Sequence, residues 1–312
     1  MNRADPVFLA GPTAVGKSEV ALVLAEKLEA EIISVDSMQV YRGLDIGTAK
    51  PTVEERRRIP HHLIDVVELT EHFDAAQFVE RARAAVLEIA RRGRRAIFCG
   101  GTGLYFKAWL EGLGSAPPSN APLRSELEQL PMANLLEELA AKDPEFFRTV
   151  DQRNKRRVVR ALEVIRLTSR TFSEQRAAWT AQASPPASVS AGPIVLGLQR
   201  SPEDLRGRIE QRVDAMFAQG LIEETRRLLE HGLEHNRTAM QAIGYRQVIE
   251  YLRGERSHEE TIALVKTRTR QFAKRQRTWF RHQLPMQWVE VAAQSTAREI
   301  AGRLETLLTD RA

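Results

Sequence analysis

The sequence predicts an α/β fold in which a parallel sheet is flanked by helices and interrupted by an all-helical insertion domain. Residues 1 to about 112 alternate short apolar runs with helical patterns, as doubly wound parallel sheets do. Two loose stretches rich in Gly, Ala, Pro and Ser then enclose a region without strand-like runs, and an apolar run over 194–198 resumes the sheet. The predicted domains are a core over 1–114 and 193–312 and an insertion over 115–192.

The first predicted strand leads directly into a glycine-bounded loop and a helix. The apolar run Val7–Ala10 precedes a GxxxxGKS segment, and a helical pattern follows it. This is the arrangement of a phosphate loop, in which backbone N–H groups and the positive end of a helix dipole face an anion. Lys17 supplies a cation, and the Ser18 hydroxyl can hold Mg²⁺. The predicted fold is therefore P-loop NTPase-like, and a nucleotide or any other diphosphate fits the motif. The predicted diphosphate-binding residues are Gly11, Pro12, Thr13, Ala14, Val15, Gly16, Lys17 and Ser18.

The remaining strands place further polar groups beside the phosphate loop. Strands are predicted over 31–35, 62–66, 95–99, 194–198 and 287–291, and helices over 75–92, 202–219, 221–230, 257–281 and 296–308. Ligands of such sheets bind at the carboxyl ends of the strands. The phosphate loop, Asp36 and the Gly100–Thr102 turn all follow strands, so we expect them to lie close together.

Asp36 begins the segment Asp36–Pro51 and has three possible roles. Its carboxylate can bind Mg²⁺ through water, accept a proton from a nucleophile, or cap the following turn. Within the same segment, Lys50 is either a second phosphate contact or a solvated side chain. Thr102 either faces the site or caps a helix. Nucleotidases usually place an Asp after an apolar strand to anchor Mg²⁺, but here the strand ends Phe98-Cys99-Gly100-Gly101, without an acid.

Basic residues concentrate in two clusters. The first is Gln152–Arg160, and the second runs from Lys266 to Arg281 with no acidic residue and with three aromatic ones. Each cluster is either a solvated face or a contact for the phosphate backbone of a nucleic acid. In the second case, aromatic side chains could stack on the bases and amide side chains could read them. Arg208 and Arg212 lie four residues apart on a helix. Either one of the two closes over a diphosphate, or they pair with the neighbouring acids Glu210 and Asp214.

Composition narrows the class of protein. The 312 residues carry a net charge of +5 and a single cysteine, which excludes an internal disulfide and a multi-cysteine zinc site. No apolar run is long enough to span a membrane, and no signal peptide is visible. We expect a cytoplasmic monomer without a membrane partner.

Seven segments together resemble the tRNA dimethylallyltransferase family, also called tRNA isopentenyltransferases, in its bacterial form. The resemblance runs nearly end to end, and its most specific parts are Asp36–Pro51 and Lys274–Arg281. It also rests on Gly11–Ser18, His61–Asp65, Gly100–Tyr105, Gln152–Arg156 and Gln241–Arg246.

The resemblance implies transfer of a dimethylallyl group from dimethylallyl diphosphate, with Mg²⁺, to N6 of adenine-37 beside the anticodon of tRNA. By family analogy, Lys17 and Arg212 neutralise the leaving diphosphate, Ser18 holds the metal, Thr102 contacts the bridging oxygen, and Asp36 accepts the amine proton. The insertion would bind the anticodon stem-loop. The tRNA-binding residues implied are Asp36, Ser37, Met38, Gln39, Thr102, Arg124, Gln152, Arg153, Asn154, Lys155, Arg156, Gln241, Ala242, Ile243, Gly244, Tyr245, Arg246, Lys274, Arg275, Gln276, Arg277, Thr278, Trp279, Phe280 and Arg281.

Two other functions use some of the same features. A small-molecule or nucleotide kinase has the same loop and sheet, consumes ATP and needs no RNA. A non-enzymatic RNA-binding protein would keep the basic clusters and show no turnover. The cluster from Lys266 to Arg281 argues against the kinase, because a metabolite kinase has little use for it.

Overall fold

The computed structural model describes residues 5–113, 116–175 and 194–309. The chain divides into two compact units, one formed by Met1–Lys107 with Ala191–Ala312 and the other by Ala108–Ser190. Sequence analysis placed the first boundary at 114; the second unit begins a few residues earlier.

A six-stranded sheet lies in the first unit, and every described pairing in it is parallel. The strands are β1 (Val7–Ala10), β2 (Ala30–Val35), β3 (His61–His62), β4 (Arg95–Gly100), β5 (Val195–Gln199) and β6 (Met286–Glu290), in the order β3-β2-β4-β1-β5-β6. Strands β1 and β2 are buried along their whole length, as the inner strands of a sheet covered on both faces must be. The predicted P-loop NTPase-like fold is confirmed.

Helices cover the sheet, and their amphipathic stripes supply its core. The first unit holds α1 (Lys17–Lys27), α2 (Val53–Arg58) and α3 (Ala75–Arg91), and after the insertion α9 (Pro202–Ala218), α10 (Leu221–Glu230), α11 (Tyr245–Leu252), α12 (His258–Gln283) and α13 (Ala297–Thr309). Helix α4 covers Gly103–Glu111. Helices α1 and α13 pack on one face of β1 through apolar residues such as Leu24, Ala301 and Leu304. No helix of the described residues is long and apolar enough to cross a membrane.

The third strand is shorter than the sequence pattern predicted, so that prediction was wrong over most of 62–66. Leu63 and Asp65 have φ angles of +62° and +55°, which a strand does not accommodate. The chain turns because the Asp65 carboxylate accepts hydrogen bonds from Lys50 Nζ at 2.5 Å and from Arg56 at 2.7 Å. Those contacts also bury Lys50, which is therefore neither a phosphate contact nor a solvated side chain.

Two helices were not predicted. Helix α2 has a single apolar residue and so no stripe, but Thr52 and Glu55 form a capping box that starts it. Helix α11 has only eight residues, too short for a clear periodicity.

The second unit is helical in its described part, as the sequence predicts. It contains α5 (Ala121–Gln129), α6 (Met132–Lys142), α7 (Pro144–Thr149) and α8 (Lys155–Thr168) around an apolar core of its own. The buried Glu163 carboxylate accepts hydrogen bonds from Asn120 N and Arg160, which fixes the start of α5 against α8. The loose stretch predicted over 181–193 lies outside the described residues.

Candidate active site

The phosphate loop has the backbone expected of an anion cradle. Ala14 and Gly16 have φ angles of +62° and +100°, left-handed values that turn successive amides toward one side. The amides of residues 14–18 have no acceptor among the described residues, and the loop lines a cavity of about 920 Å³. Buried or half-buried N–H groups require a partner, and the positive end of the α1 dipole makes an anion a more favourable partner here than water.

Lys17 and Arg212 supply positive charge to that cradle. Lys17 Nζ donates to Pro12 O at 2.7 Å, and both side chains line the cavity with Asp36, with which they interact electrostatically. Burial lowers the pKa of Lys17 to about 8, and the neighbouring Arg212 acts in the same direction. Burial also lowers the pKa of Arg212 from its ordinary value.

The lowered pKa of Lys17 predicts proton uptake on ligand binding. Since a bound diphosphate raises the pKa of a lysine beside it, binding above pH 8 should take up about one proton at Lys17, whereas well below pH 8 the amine is already charged. Calorimetric titration with diphosphate in buffers of different ionisation heat measures this uptake. The Lys17→Arg variant is the control: its guanidinium stays charged, so any uptake that remains belongs to the ligand. Equal uptake in both proteins would contradict the assignment of the proton to Lys17.

Asp36 caps a turn and also faces the cavity. Its Oδ1 accepts hydrogen bonds from Met38 N at 2.8 Å and Gln39 N at 3.3 Å, so one of the anticipated roles is observed. The Gln39 side chain in turn accepts from Ser34 Oγ at 2.9 Å and donates to Thr48 O at 3.2 Å. The carboxylate is thus held in a fixed orientation at the end of β2, with the cavity beside it.

Thr102 stands immediately before α4, and its hydroxyl faces the Asp36 turn. Ser37 N donates to Thr102 Oγ1 at 3.0 Å, and Thr102 N donates to Val35 O at 3.1 Å. Thr102 therefore ties the end of β4 to the end of β2, and it lines the cavity.

Arg208 braces the phosphate loop. Its Nε donates to Ala14 O at 2.9 Å, and its guanidinium lies 4.0 Å from Glu19 Oε1. The two acids that follow it on the same helix, by contrast, bind other cations. Glu210 contacts Arg206 and Arg270, and Asp214 contacts Lys266.

Apolar side chains and one loop form two further parts of the cavity wall. Met38, Val213, Met216, Ile243, Val265 and Phe272 line it. Gly47, Thr48 and Ala49 form a further wall, which is held by the buried carboxylate of Glu224. Glu224 accepts from Ile46 N at 2.9 Å and from the Tyr245 hydroxyl at 2.7 Å. Sequence analysis missed Glu224, because nothing in its helical pattern distinguishes it from an exposed acid.

Several residues expected to contact tRNA are buried, which corrects those assignments. Tyr245 and Phe280 are fully buried, and Ala242, Gly244 and Gln276 are nearly so. The Tyr245 hydroxyl binds Glu224, and the Phe280 ring packs against Phe106 at 5.9 Å between centroids. Tyr245 and Phe280 therefore support the site from behind, whereas Ala242 and Gln276 reach its lining.

The glycines after β4 pack against α12. A Cβ atom on Gly101 would lie 2.3 Å from Gln276 Nε2, and one on Gly103 would lie 2.1 Å from the Trp279 ring. The close approach expected of these glycines is therefore made by protein side chains.

Other expected tRNA contacts are accessible. On the first unit, Gln241, Arg246, Lys274, Arg275, Thr278 and Arg281 are exposed, and Ser37, Met38, Ile243, Arg277 and Trp279 are half-buried. The Arg275 guanidinium lies 5.9 Å from the Phe272 ring centroid, at the rim of the cavity.

In the second unit, Gln152, Arg153 and Arg156 are exposed. Three other residues expected to contact tRNA have structural contacts there. Asn154 caps α8, Lys155 Nζ donates to Leu130 O at 2.7 Å, and Arg124 donates to Ser119 Oγ at 3.0 Å.

The residues around the phosphate loop fit a magnesium ion carried by a phosphate. Ser18 Oγ and the Asp36 carboxylate are hard oxygen donors that line the same cavity. The described residues contain no group of three or more His, Cys, Asp or Glu side chains that could hold a metal by themselves. Mg²⁺ commonly completes such a sparse set with water and substrate phosphates.

Fold and site together define a P-loop α/β protein with a cavity that the phosphate loop lines at the carboxyl ends of the strands. The family model for IPP transferase matches residues 39–283, and the chain belongs to this family.

Similar sequences and solved structures agree with this family membership. The chain is 48% identical to tRNA dimethylallyltransferase 1 of Trichlorobacter lovleyi over 91% of this chain and 92% of the relative. The tRNA isopentenylpyrophosphate transferase of Bacillus halodurans superposes with a TM-score of 0.70 at 36% identity, over 98% of this chain and 97% of that one. A eukaryotic dimethylallyltransferase acting on tRNA superposes with a TM-score of 0.73 at 27% identity, over 98% and 77% of the two chains.

Proposed function

We propose that this protein transfers the dimethylallyl group of dimethylallyl diphosphate to N6 of the adenine at position 37, next to the anticodon of tRNA, forming N6-isopentenyladenosine. The observation that carries the proposal is the unpartnered amide array over 14–18, which opens into the same cavity as Asp36 in a member of the IPP transferase family. A phosphate cradle beside a carboxylate and an apolar wall suits a substrate with an anionic and a hydrocarbon end.

In this reaction the bond between the allylic carbon and the bridging oxygen breaks, and a bond between N6 and that carbon forms. The electron pair of the broken bond leaves with the diphosphate, whose growing charge Lys17, Arg212 and the loop amides stabilise. Asp36 accepts the proton that the amine loses, and its Oδ1 contacts within the turn keep the carboxylate oriented for this step.

The hydroxyls of Ser18 and Thr102 have distinct roles. Ser18, at the start of α1, would hold Mg²⁺ on the diphosphate, where a bound metal supplies charge neutralisation for the leaving group. Thr102, fixed by its contact with Ser37 N, would donate its hydroxyl proton to the bridging oxygen.

The adenine must leave its stack to reach the cavity, as bases do in other nucleic-acid-modifying enzymes. The exposed cations of α12 and the rim residues Gln241 and Arg246 would bind the RNA backbone and adjacent bases around the cavity mouth. Arg153 and Arg156 of the second unit would bind the anticodon stem.

The test is incubation with tRNA and labelled dimethylallyl diphosphate in Mg²⁺ without ATP. Label should enter the RNA, and free diphosphate should appear in equal amount. A kinase of small molecules would leave the RNA unlabelled and consume ATP, and a non-enzymatic RNA-binding protein would bind tRNA without turnover.

Removing charge from either basic cluster should weaken tRNA binding. The double variants Arg153→Gln with Arg156→Gln, and Lys274→Gln with Arg275→Gln, each lose two exposed cations. The slope of log affinity against log salt should fall by about one unit per lost phosphate contact, with dimethylallyl diphosphate affinity nearly unchanged.

The matched control is Arg226→Gln with Arg227→Gln, two exposed cations on α10. It should bind tRNA as the wild type does. Unaltered tRNA affinity in both cluster variants would assign those cations to a solvated face.

A further inference from the structure

Gln276 connects the basic helix α12 to the phosphate loop through one end of its amide and to the turn after β4 through the other. Its Oε1 accepts a hydrogen bond from Thr13 N at 2.9 Å, and its Nε2 donates to Gly101 O at 2.9 Å. The side chain is only 8% exposed and lines the cavity. A buried amide with both ends paired is held in one orientation, since an unpaired end would lose its hydration without compensation.

The contact with Thr13 falls at the start of the anion cradle. Thr13 precedes Ala14, whose left-handed backbone begins the run of unpartnered amides over 14–18. Gln276 thus accepts a hydrogen bond from the amide next to the array and leaves the amides of the array itself available to a ligand. This hydrogen bond holds the N–H side of the Pro12–Thr13 peptide, whose carbonyl accepts from Lys17 Nζ.

The contact with Gly101 is also sterically specific. A Cβ atom at this position would lie 2.3 Å from Gln276 Nε2, so a glycine is needed for the amide to reach the backbone. The sequence motifs Gly100–Tyr105 and Lys274–Arg281, far apart in the chain, meet at this point.

We propose that Gln276 is a positioning residue that sets the phosphate loop from α12, so that diphosphate affinity depends on a helix whose outer face carries the basic side chains. The inference rests on the proposed function, because it takes the diphosphate of the prenyl donor as the ligand. It also reassigns Gln276 from the tRNA-contacting set.

The first test is the affinity for dimethylallyl diphosphate with Mg²⁺, measured by calorimetry on folded protein. We expect Gln276→Ala to bind about tenfold more weakly, as loss of two buried hydrogen bonds at a loop hinge implies. The KM for the diphosphate should rise, and the KM for tRNA should stay within about twofold of the wild type. Gln283→Ala is the control, since that amide lies on the same helix and contacts Lys107 instead.

A double-mutant cycle separates positioning from general stability. Gly101→Ala should weaken diphosphate binding in the wild type because the new methyl displaces Gln276, but should cost little in the Gln276→Ala background, where space is available. Additive losses would overturn the proposal, because they would place the two residues in separate roles.

If Gln276→Ala does not fold, Gln276→Glu is the second variant, because it keeps the Thr13 acceptor and loses the Gly101 donor. Wild-type affinity in the folded variants would contradict the inference. Absence of dimethylallyl diphosphate binding by the wild type would instead overturn the proposed function.

Discussion

Replacing Lys17 with Ala is expected to lower the rate of dimethylallyl transfer by at least about 10²–10³-fold, the cost of removing one stabiliser of developing negative charge. Lys17 lines the cavity beside the unpartnered loop amides, and the hydrogen bond that its amine makes within the described part of the chain goes to a backbone carbonyl of the same loop, so it is available to a diphosphate. The measurement is a single-turnover rate with tRNA and labelled dimethylallyl diphosphate.

The control for this prediction is Lys27→Ala. Lys27 lies on the same helix, is exposed, and pairs with Glu305 at 2.7 Å, where an ion pair contributes little. Its rate should equal that of the wild type. Near-normal transfer by Lys17→Ala would remove Lys17 from the site, and stoichiometric ATP turnover by the wild type would replace the transferase with a kinase.

Asp36→Asn is expected to reduce turnover by about 10²–10⁴-fold, the usual cost of losing a general base. The Asn carbonyl can still accept from Met38 N and Gln39 N, so the turn and the fold should survive. Diphosphate affinity should hardly change, because the Asn amide occupies the same place as the carboxylate. The amide cannot, however, accept a proton from the adenine amine.

Three measurements on this variant distinguish the roles of Asp36. A metal anchor predicts weaker diphosphate binding that raised Mg²⁺ restores. A turn cap alone predicts full activity in Asp36→Asn, and in Asp36→Ala a loss of stability of about 1 kcal/mol without a comparable loss of rate. Single-turnover rate, diphosphate affinity and melting temperature therefore suffice, and near-normal turnover would exclude the general-base role.

The sequence predicted the phosphate loop and its neighbours well for a physical reason. Strand-terminal polar residues in a parallel sheet must meet at one edge, so Asp36 and Thr102 could be placed beside Lys17 without coordinates. It failed at 62–66, because the ion pairs that force the turn join Asp65 to residues 15 and 9 positions earlier, and no helix or strand periodicity reveals such pairs.

The buried face of helix α12 could have been predicted from the spacing of its residues. Ala273, Gln276 and Phe280 are spaced by three and four residues, and this stripe is the buried one. The surrounding cations drew attention to the whole run as a nucleic-acid contact, although the spacing already separated an inner face from an outer one. That Gln276 would bind the phosphate loop required the tertiary structure.

The position of β1 in the sheet has a consequence for biosynthesis. It pairs with β4 on one side and β5 on the other, but about 95 residues separate Gly100 from Val195 along the chain. At a translation rate of roughly 5–20 residues per second, the nascent chain waits about 5–20 s for β5 after β4 has been made. Throughout that interval one backbone edge of the central strand lacks its partner and can template pairing with another chain. Ribosome-bound intermediates of this length are therefore the stage at which chaperone contact should matter most.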